Sequence, residues 1–240
     1  MKENEVKQFL ISGTIGYSIW KRNQKLILIL HDNHSIESYC SKKSIWIANL
    51  LDQLSNWDIY VEEPDPEKLK ELKSLWTTRH VAEVRQLSAN HITQCDIRYN
   101  NNLQTIPTEE VMLSYLSHAP HKYRKIMKRI LSRIRNPQLQ YTEMDESLLY
   151  PESIWEWESI FKFLNNENQF ECFKDYLFEG YILNCCLQGT KNKIIYAGSW
   201  HCRAIGLWLS MSGFELINRR VFPMSHPLEK NCAEINFPII

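Results

Sequence analysis

The 240 residues carry 28 Lys and Arg against 28 Asp and Glu, giving zero formal net charge and a pI of about 7.1. Without an excess of basic charge the chain is not a bulk nucleic-acid binder, whose affinity comes from neutralising many phosphates. Its 44% apolar and 12% aromatic residues exclude a disordered chain, and a mass of 28.6 kDa fits one α/β domain spanning 1–240.

In chain order, residues Phe9 to Ile19 offer a first strand or hairpin. Leu26 to Leu30 (LILIL) is an unbroken apolar run, too short for a helix, and reads as a strand buried on both faces of a parallel sheet. Ser44 to Leu54 repeats apolar residues at helical spacing and leads to a second buried strand, Asp58 to Val61 (DIYV), which ends in Glu62-Glu63-Pro64. Asp65-Pro66 then looks like an N-cap with proline in the first turn of a helix over Glu67 to Trp76. Ile92 to Ile97 is a weaker strand. Thr108 to Leu116, Lys122 to Ile134, Glu152 to Leu164 and Phe173 to Leu187 read as helices, so residues from about 102 to 190 form a mainly helical insertion or cap. Lys193 to Ala197 (KIIYA) is a third buried strand, Arg203 to Met211 a short helix closed by Gly213, and Phe214 to Ile217 a further strand. Alternating strands and helices imply right-handed βαβ units and a mostly parallel central sheet flanked by helices.

Seven cysteines, an odd number without a CxxC pair, read as reduced thiols. The N-terminal residues MKENEVKQFLISG lack the apolar segment of a secretory leader, and no run approaches the roughly 18 apolar residues of a membrane span. The expected location is cytoplasmic or host-intracellular.

Ligands of parallel sheets bind beyond the carboxyl ends of the strands. After LILIL come His31, Asp32, Asn33 and His34; after DIYV come Glu62 and Glu63; near the third, weaker strand are Asp96 and Arg98; after KIIYA come Gly198 and His201. A strand-end polar residue commonly marks nothing more than the chain leaving the core, so the signal is the coincidence at four strand ends. Imidazoles and carboxylates suit a divalent metal such as zinc or manganese with one position open to water, and Asp32, His34, Glu62 and His201 are the candidate ligands. The same groups without metal can activate water as general bases, with Arg98 stabilising an oxyanion.

An apolar strand followed by an acidic His motif, a second strand ending in Glu, a later Arg and a late Gly-x-x-His resemble the TraB, Tiki, ChaN and erythromycin-esterase superfamily, and the same order of motifs is found in proteins of large DNA viruses. Gly198-Ser199-Trp200-His201 matches the family pattern fully; in Leu30-His31-Asp32-Asn33-His34 the glycine position is held by His31. The resemblance covers about a tenth of the chain. It implies an α/β hydrolase of peptide or ester bonds, metal-dependent or not, or an iron or haem binder. His34 and His201 would be the paired histidines, Glu62 the carboxylate, and Arg98 the arginine, with Arg79 and Arg85 as its competitors.

Other features are weaker. His121 to Arg135 combines seven basic residues with an apolar stripe of Ile126, Ile130, Leu131 and Ile134; residues 122–135 are thus a candidate partner-binding helix, or a surface helix whose charge is offset elsewhere. Cys202, beside His201, is a conceivable nucleophile but reads better as a small buried thiol. Gly-x-Ser-x-Gly, Walker A and Gly-x-Gly-x-x-Gly sequences are absent, which argues against an ordinary α/β-hydrolase and common nucleotide chemistry.

Overall fold

A computed structural model describes residues 6–33, 40, 43–63, 79–87, 89–99, 103–136, 169–221 and 232–238. The chain divides into two compact units, Met1–Asp96 with Gly189–Ile240, and Ile97–Gln188. The helices expected over Glu67 to Trp76 and Glu152 to Leu164 lie outside the described residues.

The described strands of the first unit form two sheets. Strands β1 (Val6–Ser12), β2 (Gly16–Arg22), β3 (Lys25–Asp32), β4 (Ile45–Trp46), β5 (Asp58–Val61), β6 (Ile92–Gln94), β7 (Lys193–Gly198), β8 (Glu215–Val221) and β9 (Cys232–Pro238) form a three-stranded sheet ordered β4-β1-β9 and a six-stranded sheet ordered β6-β5-β7-β3-β2-β8. In the larger sheet β6, β5, β7 and β3 run parallel, while β2 and β8 add to it antiparallel. The mixed α/β class and the mostly parallel sheet therefore agree with the sequence pattern. Phe9 to Ile19, however, splits between two sheets: Gly13, at φ 96°, lets the chain turn out of β1 before β2 begins. Asn23, in the two-residue turn between β2 and β3, takes a left-handed conformation that asparagine tolerates.

The described helices of this unit are α1 (Ile47–Gln53), α2 (Arg79–Arg85) and α6 (Ser199–Met211). Leu28 and Leu30 of β3, Ile59 and Val61 of β5, Ile194 and Tyr196 of β7 and Tyr17 and Ile19 of β2 point to one face, where they share a core with Ile47, Ala48 and Leu51 of α1, Val84 of α2, and Ile11, Ala233 and Ile235 of the smaller sheet. The alternate residues of the same strands point the other way, toward α6: a Cβ on Gly206 would meet the Trp20 ring at 3.0 Å. Helix α6 starts four residues earlier than its apolar pattern suggested, directly after β7. It ends at Gly213, φ 81°, whose N–H donates to the Ser210 carbonyl.

Cys40 is disulfide-bonded, which corrects the reading of every cysteine as a reduced thiol; Cys95, Cys185, Cys186 and Cys202 are free and buried. Cysteine count alone cannot separate the two states, because pairing depends on which thiols the fold brings together. No helix among the described residues is long and apolar enough to cross a membrane.

The described elements of the second unit are the 3₁₀ turn Ile97–Tyr99 and helices α3 (Glu109–Tyr115), α4 (His121–Arg135) and α5 (Gln169–Leu187). Thr108 caps α3 by accepting the Val111 N–H at 3.2 Å, and Glu109 and Glu110 favour its positive end. On α5, Phe173, Leu177, Phe178, Ile182, Leu183 and Cys186 are buried at helical spacing. Gly180 lies under the Tyr123 ring and Leu116, so that a Cβ there would come within 2.6 Å of Leu116 Cδ2. Gly180→Ala is accordingly expected to destabilise this unit by about 1–3 kcal/mol through overpacking, read as a lowered denaturation midpoint; an unchanged midpoint would mean that α3 and α4 do not pack on this side of α5.

Candidate functional site

Because β3, β7, β5 and β6 are parallel and adjacent, the polar residues that follow them collect along one edge. The Glu62 N–H donates to the Tyr196 carbonyl at 2.9 Å, extending the β5–β7 ladder by one residue. Cys95 N–H donates to Val61 O and Asp96 N–H to Glu63 O, both at 3.0 Å, which holds the end of β6 against the end of β5.

Glu62 and His201 meet here. Gly198, the N-cap of α6, has no side chain with which to cap the helix. The Glu62 carboxylate takes over that role from the neighbouring strand: its Oε2 accepts the Gly198 N–H at 2.6 Å. Its other oxygen, Oε1, lies 3.3 Å from His201 Nε2 in the first turn of the helix. The Glu62 side chain is 7% exposed and that of His201 14%, so the pair is shielded without being closed off. Trp200, beside His201, is 66% exposed.

Asp32 sits elsewhere. It shares the face of Leu30 and Tyr196, and Glu62, following Val61, shares the opposite one. The Tyr196 hydroxyl donates to the Gly13 carbonyl at 2.9 Å. Burial raises this phenol well above its usual range, and the charge and hydrogen bond of Asp32, with the charge of Glu63, push it further. Tyr196 therefore stays protonated, and its involvement with Asp32 was not legible in a strand that reads as uniformly apolar.

His31, in the family's glycine position, is an interior residue, 2% exposed, on the α6 side of the sheet. Neither ring nitrogen has a hydrogen-bond partner among the described residues. Burial, reinforced by the positive charges of Arg219 and Arg203, lowers its pKa to about 3, so the imidazole is neutral.

His34 lies outside the described residues. Arg98 belongs to the second unit, where it donates to Asp175 at 2.8 Å and stacks over Phe178 at 4.7 Å. The side chains of Arg79 and Arg85 are outside the described set. Cys202 is buried, and its thiol donates to the Ala197 carbonyl at 3.1 Å and the Leu30 carbonyl at 3.7 Å, contacts that fit a packing role. On α4, Ile130 and Leu131 of the expected stripe are buried, together with Tyr123 and Met127, while Ile126 and Ile134 are half-buried. Among its basic residues, Lys128 pairs with Glu109 at 2.6 Å, and Arg135 donates to the Pro107 carbonyl.

Next to Glu62, among the described residues, a metal would find the His201 imidazole, with Asp32 directed to the other face and His31 two strands away. Among the described residues no three His, Cys, Asp or Glu side chains are placed to hold an ion together. These two donors alone do not make a zinc or manganese site. What the pair can do unaided is acid–base work, since a carboxylate facing Nε2 orients the ring and stabilises its protonated form. Compared with known proteins, the chain matches no family model, no curated protein and no solved structure.

Proposed function

We propose that this chain is a hydrolase of the Tiki, TraB and erythromycin-esterase type, cleaving a peptide or ester bond of a small molecule or peptide. The observation that supports the reading is the Glu62–His201 pair at 3.3 Å on the carboxyl edge of the parallel sheet. With its Nε2 proton directed at Glu62, His201 has Nδ1 as its basic nitrogen, which takes a proton from the attacking water and returns it to the leaving group. Glu62 holds the ring in that tautomer and offsets the charge it gains. Arg98 is assigned no step, because its guanidinium is engaged by Asp175. A metal-dependent form of the reading requires His34 as a further ligand. Residues 102–190 are, on this view, a helical insertion in the α/β chain.

A screen of ester and peptide substrates, run with added zinc or manganese and again with a chelator, tests the proposal. Turnover that survives the chelator supports the acid–base form, turnover lost with it supports the metal form, and no turnover under either condition overturns the reading. A non-catalytic binding protein is the second reading. It is favoured by one contact: the 2.6 Å bond from Gly198 to Glu62 shows the carboxylate serving as a helix cap, a role that needs no chemistry. In that case a partner is taken by α4, and neutralising the basic residues of 122–135 removes the interaction while His201→Ala leaves it intact.

A further inference from the structure

We propose that the α6 side of the sheet around His31 binds an oxyanion of the phosphate class, held by Arg203 and Arg219 with His31 and Ser199 as additional hydrogen-bond partners. The inference stands whether or not Glu62 and His201 hydrolyse anything, because it concerns binding alone.

The argument begins with strand register. His31 of β3 lies level with Ala197 of β7 on one side and Gly16 of β2 on the other. Its two cross-strand neighbours thus present a methyl group and a hydrogen, and no side chain from either fills the space beside the ring. A buried imidazole normally satisfies at least one nitrogen, yet both nitrogens of His31 lack a partner among the described residues. Ser199 Oγ, at the first position of α6, is likewise buried and without a partner among them. Two unpartnered buried groups, one on the sheet and one at the start of the helix packed on it, imply something that completes them.

Positive charge converges on the same place. In β8, Arg219 is level with Ser18, which is level with Ile29, so Arg219 shares the face of Ile29 and His31. Arg203 follows Ser199 by one helical turn, and Gly206, on the same side of the helix, packs on Trp20 of β2; that side of α6 is turned toward β2. The fields of both guanidinium groups reach His31. Both arginines are exposed and neither has an ion pair among the described residues. Arg220, the next residue along and directed to the opposite face, pairs with Glu234 at 2.8 Å. Among the described residues, strand β8 therefore offers one arginine in an ion pair and one outside any.

The chemistry selects the ligand. Two guanidinium forks, an imidazole N–H and a hydroxyl can all donate, and a phosphate dianion offers three unprotonated oxygens to accept from them and one P–OH to donate. The neutral form of His31 suits this role, since one nitrogen donates while the other accepts from a singly protonated phosphate. Glu62 is two strands away on the same face, about 10 Å at the usual strand spacing, far enough not to fill the space itself.

Inorganic phosphate is the probe, and thermal unfolding and calorimetric titration of the full chain are the readouts, with sodium chloride at matched ionic strength and acetate as comparisons. Phosphate should raise the melting temperature saturably, and Arg203→Gln and Arg219→Gln should each weaken binding at least tenfold, while Arg220→Gln changes it less than twofold. His31→Leu should weaken binding without unfolding the chain. Equal stabilisation by sodium chloride would overturn the proposal as general screening, and equal or tighter binding of acetate would overturn the phosphate assignment. Retention of wild-type affinity in both Arg203→Gln and Arg219→Gln would place the anion elsewhere.

Discussion

Glu62→Ala is expected to lower the stability of the first unit by about 2–3 kcal/mol, well beyond what removal of an ordinary surface carboxylate produces. Glu62 is buried and closes two contacts at once, with the Gly198 N–H at 2.6 Å and His201 at 3.3 Å. Its loss leaves the first amide of α6 without a cap and removes negative charge from the positive end of a thirteen-residue helix. Glu62→Gln keeps an oxygen acceptor for Gly198 and should recover more than half of the lost stability, but it withdraws the charge facing His201. The two variants therefore separate capping from acid–base work: urea unfolding should rank wild type above Gln and Gln above Ala, while hydrolysis should fall in both. Equal stability for Ala and wild type would show that the carboxylate does not cap α6.

Lowering the pH from about 6.5 toward 3 should unfold the chain in proportion to the burial of His31. In the folded state the imidazole resists protonation down to about pH 3, because burial and the charges of Arg219 and Arg203 disfavour its cation; in the unfolded chain it protonates at 6.5. The unfolded state thus binds the extra proton throughout that window. Stability attributable to neutral His31 is fully present above 6.5 and declines as the pH falls, by up to about 1.4 kcal/mol per pH unit and on the order of 5 kcal/mol in all. That is a large part of the roughly 5–15 kcal/mol that holds a typical domain folded. A second group titrates lower. Burial pushes Asp58 upward, but hydrogen bonds and charges from Lys193 and Lys191 outweigh it and hold its pKa below 3.8. Its contribution is present above 3.8 and is lost only as the pH falls through the depressed value. Denaturant midpoints of wild type and His31→Leu, measured from pH 7 to 4, isolate the histidine: the wild-type curve should slope downward more steeply. Parallel curves would mean that His31 titrates in the folded chain as it does in the unfolded one, as an exposed imidazole would.

The strands at the centre of the larger sheet were legible because LILIL, DIYV and KIIYA are continuous apolar runs, and only a strand covered on both faces tolerates them. They became β3, β5 and β7, all within the parallel part. Their spatial order was not legible: β7, last in sequence, lies between β5 and β3, a consequence of long-range pairing that no local pattern encodes. Strand β8 (ELINRRV) was recognised only at its start. It lies at the sheet edge with much of its surface exposed, so its charged half resembles a loop.

The site was half legible for the same reason. Parallel strands bring their carboxyl ends together, which is why Glu62 and His201 meet. The face to which each strand-end residue points depends on register, and Asp32 points away from Glu62 although both follow apolar runs. The helix expected from Arg203 begins at Ser199, and the cap at its start comes from Glu62, more than a hundred residues earlier in the chain. Arg203 and Arg219 stand outside any motif, as isolated arginines in a helix and a strand. Only the register that sets them around His31 gives them a shared role.

Steady-state hydrolysis by His201→Ala, set against wild type on whichever ester or peptide the screen identifies, tests the central claim most directly. The variant should keep its folded state, because His201 is partly exposed and the cap on α6 is supplied by Glu62, and its kcat should fall by about a hundredfold to ten-thousandfold, the range general acid–base catalysis contributes. An unchanged kcat in a folded His201→Ala protein would contradict the account and leave Glu62 as a structural cap alone.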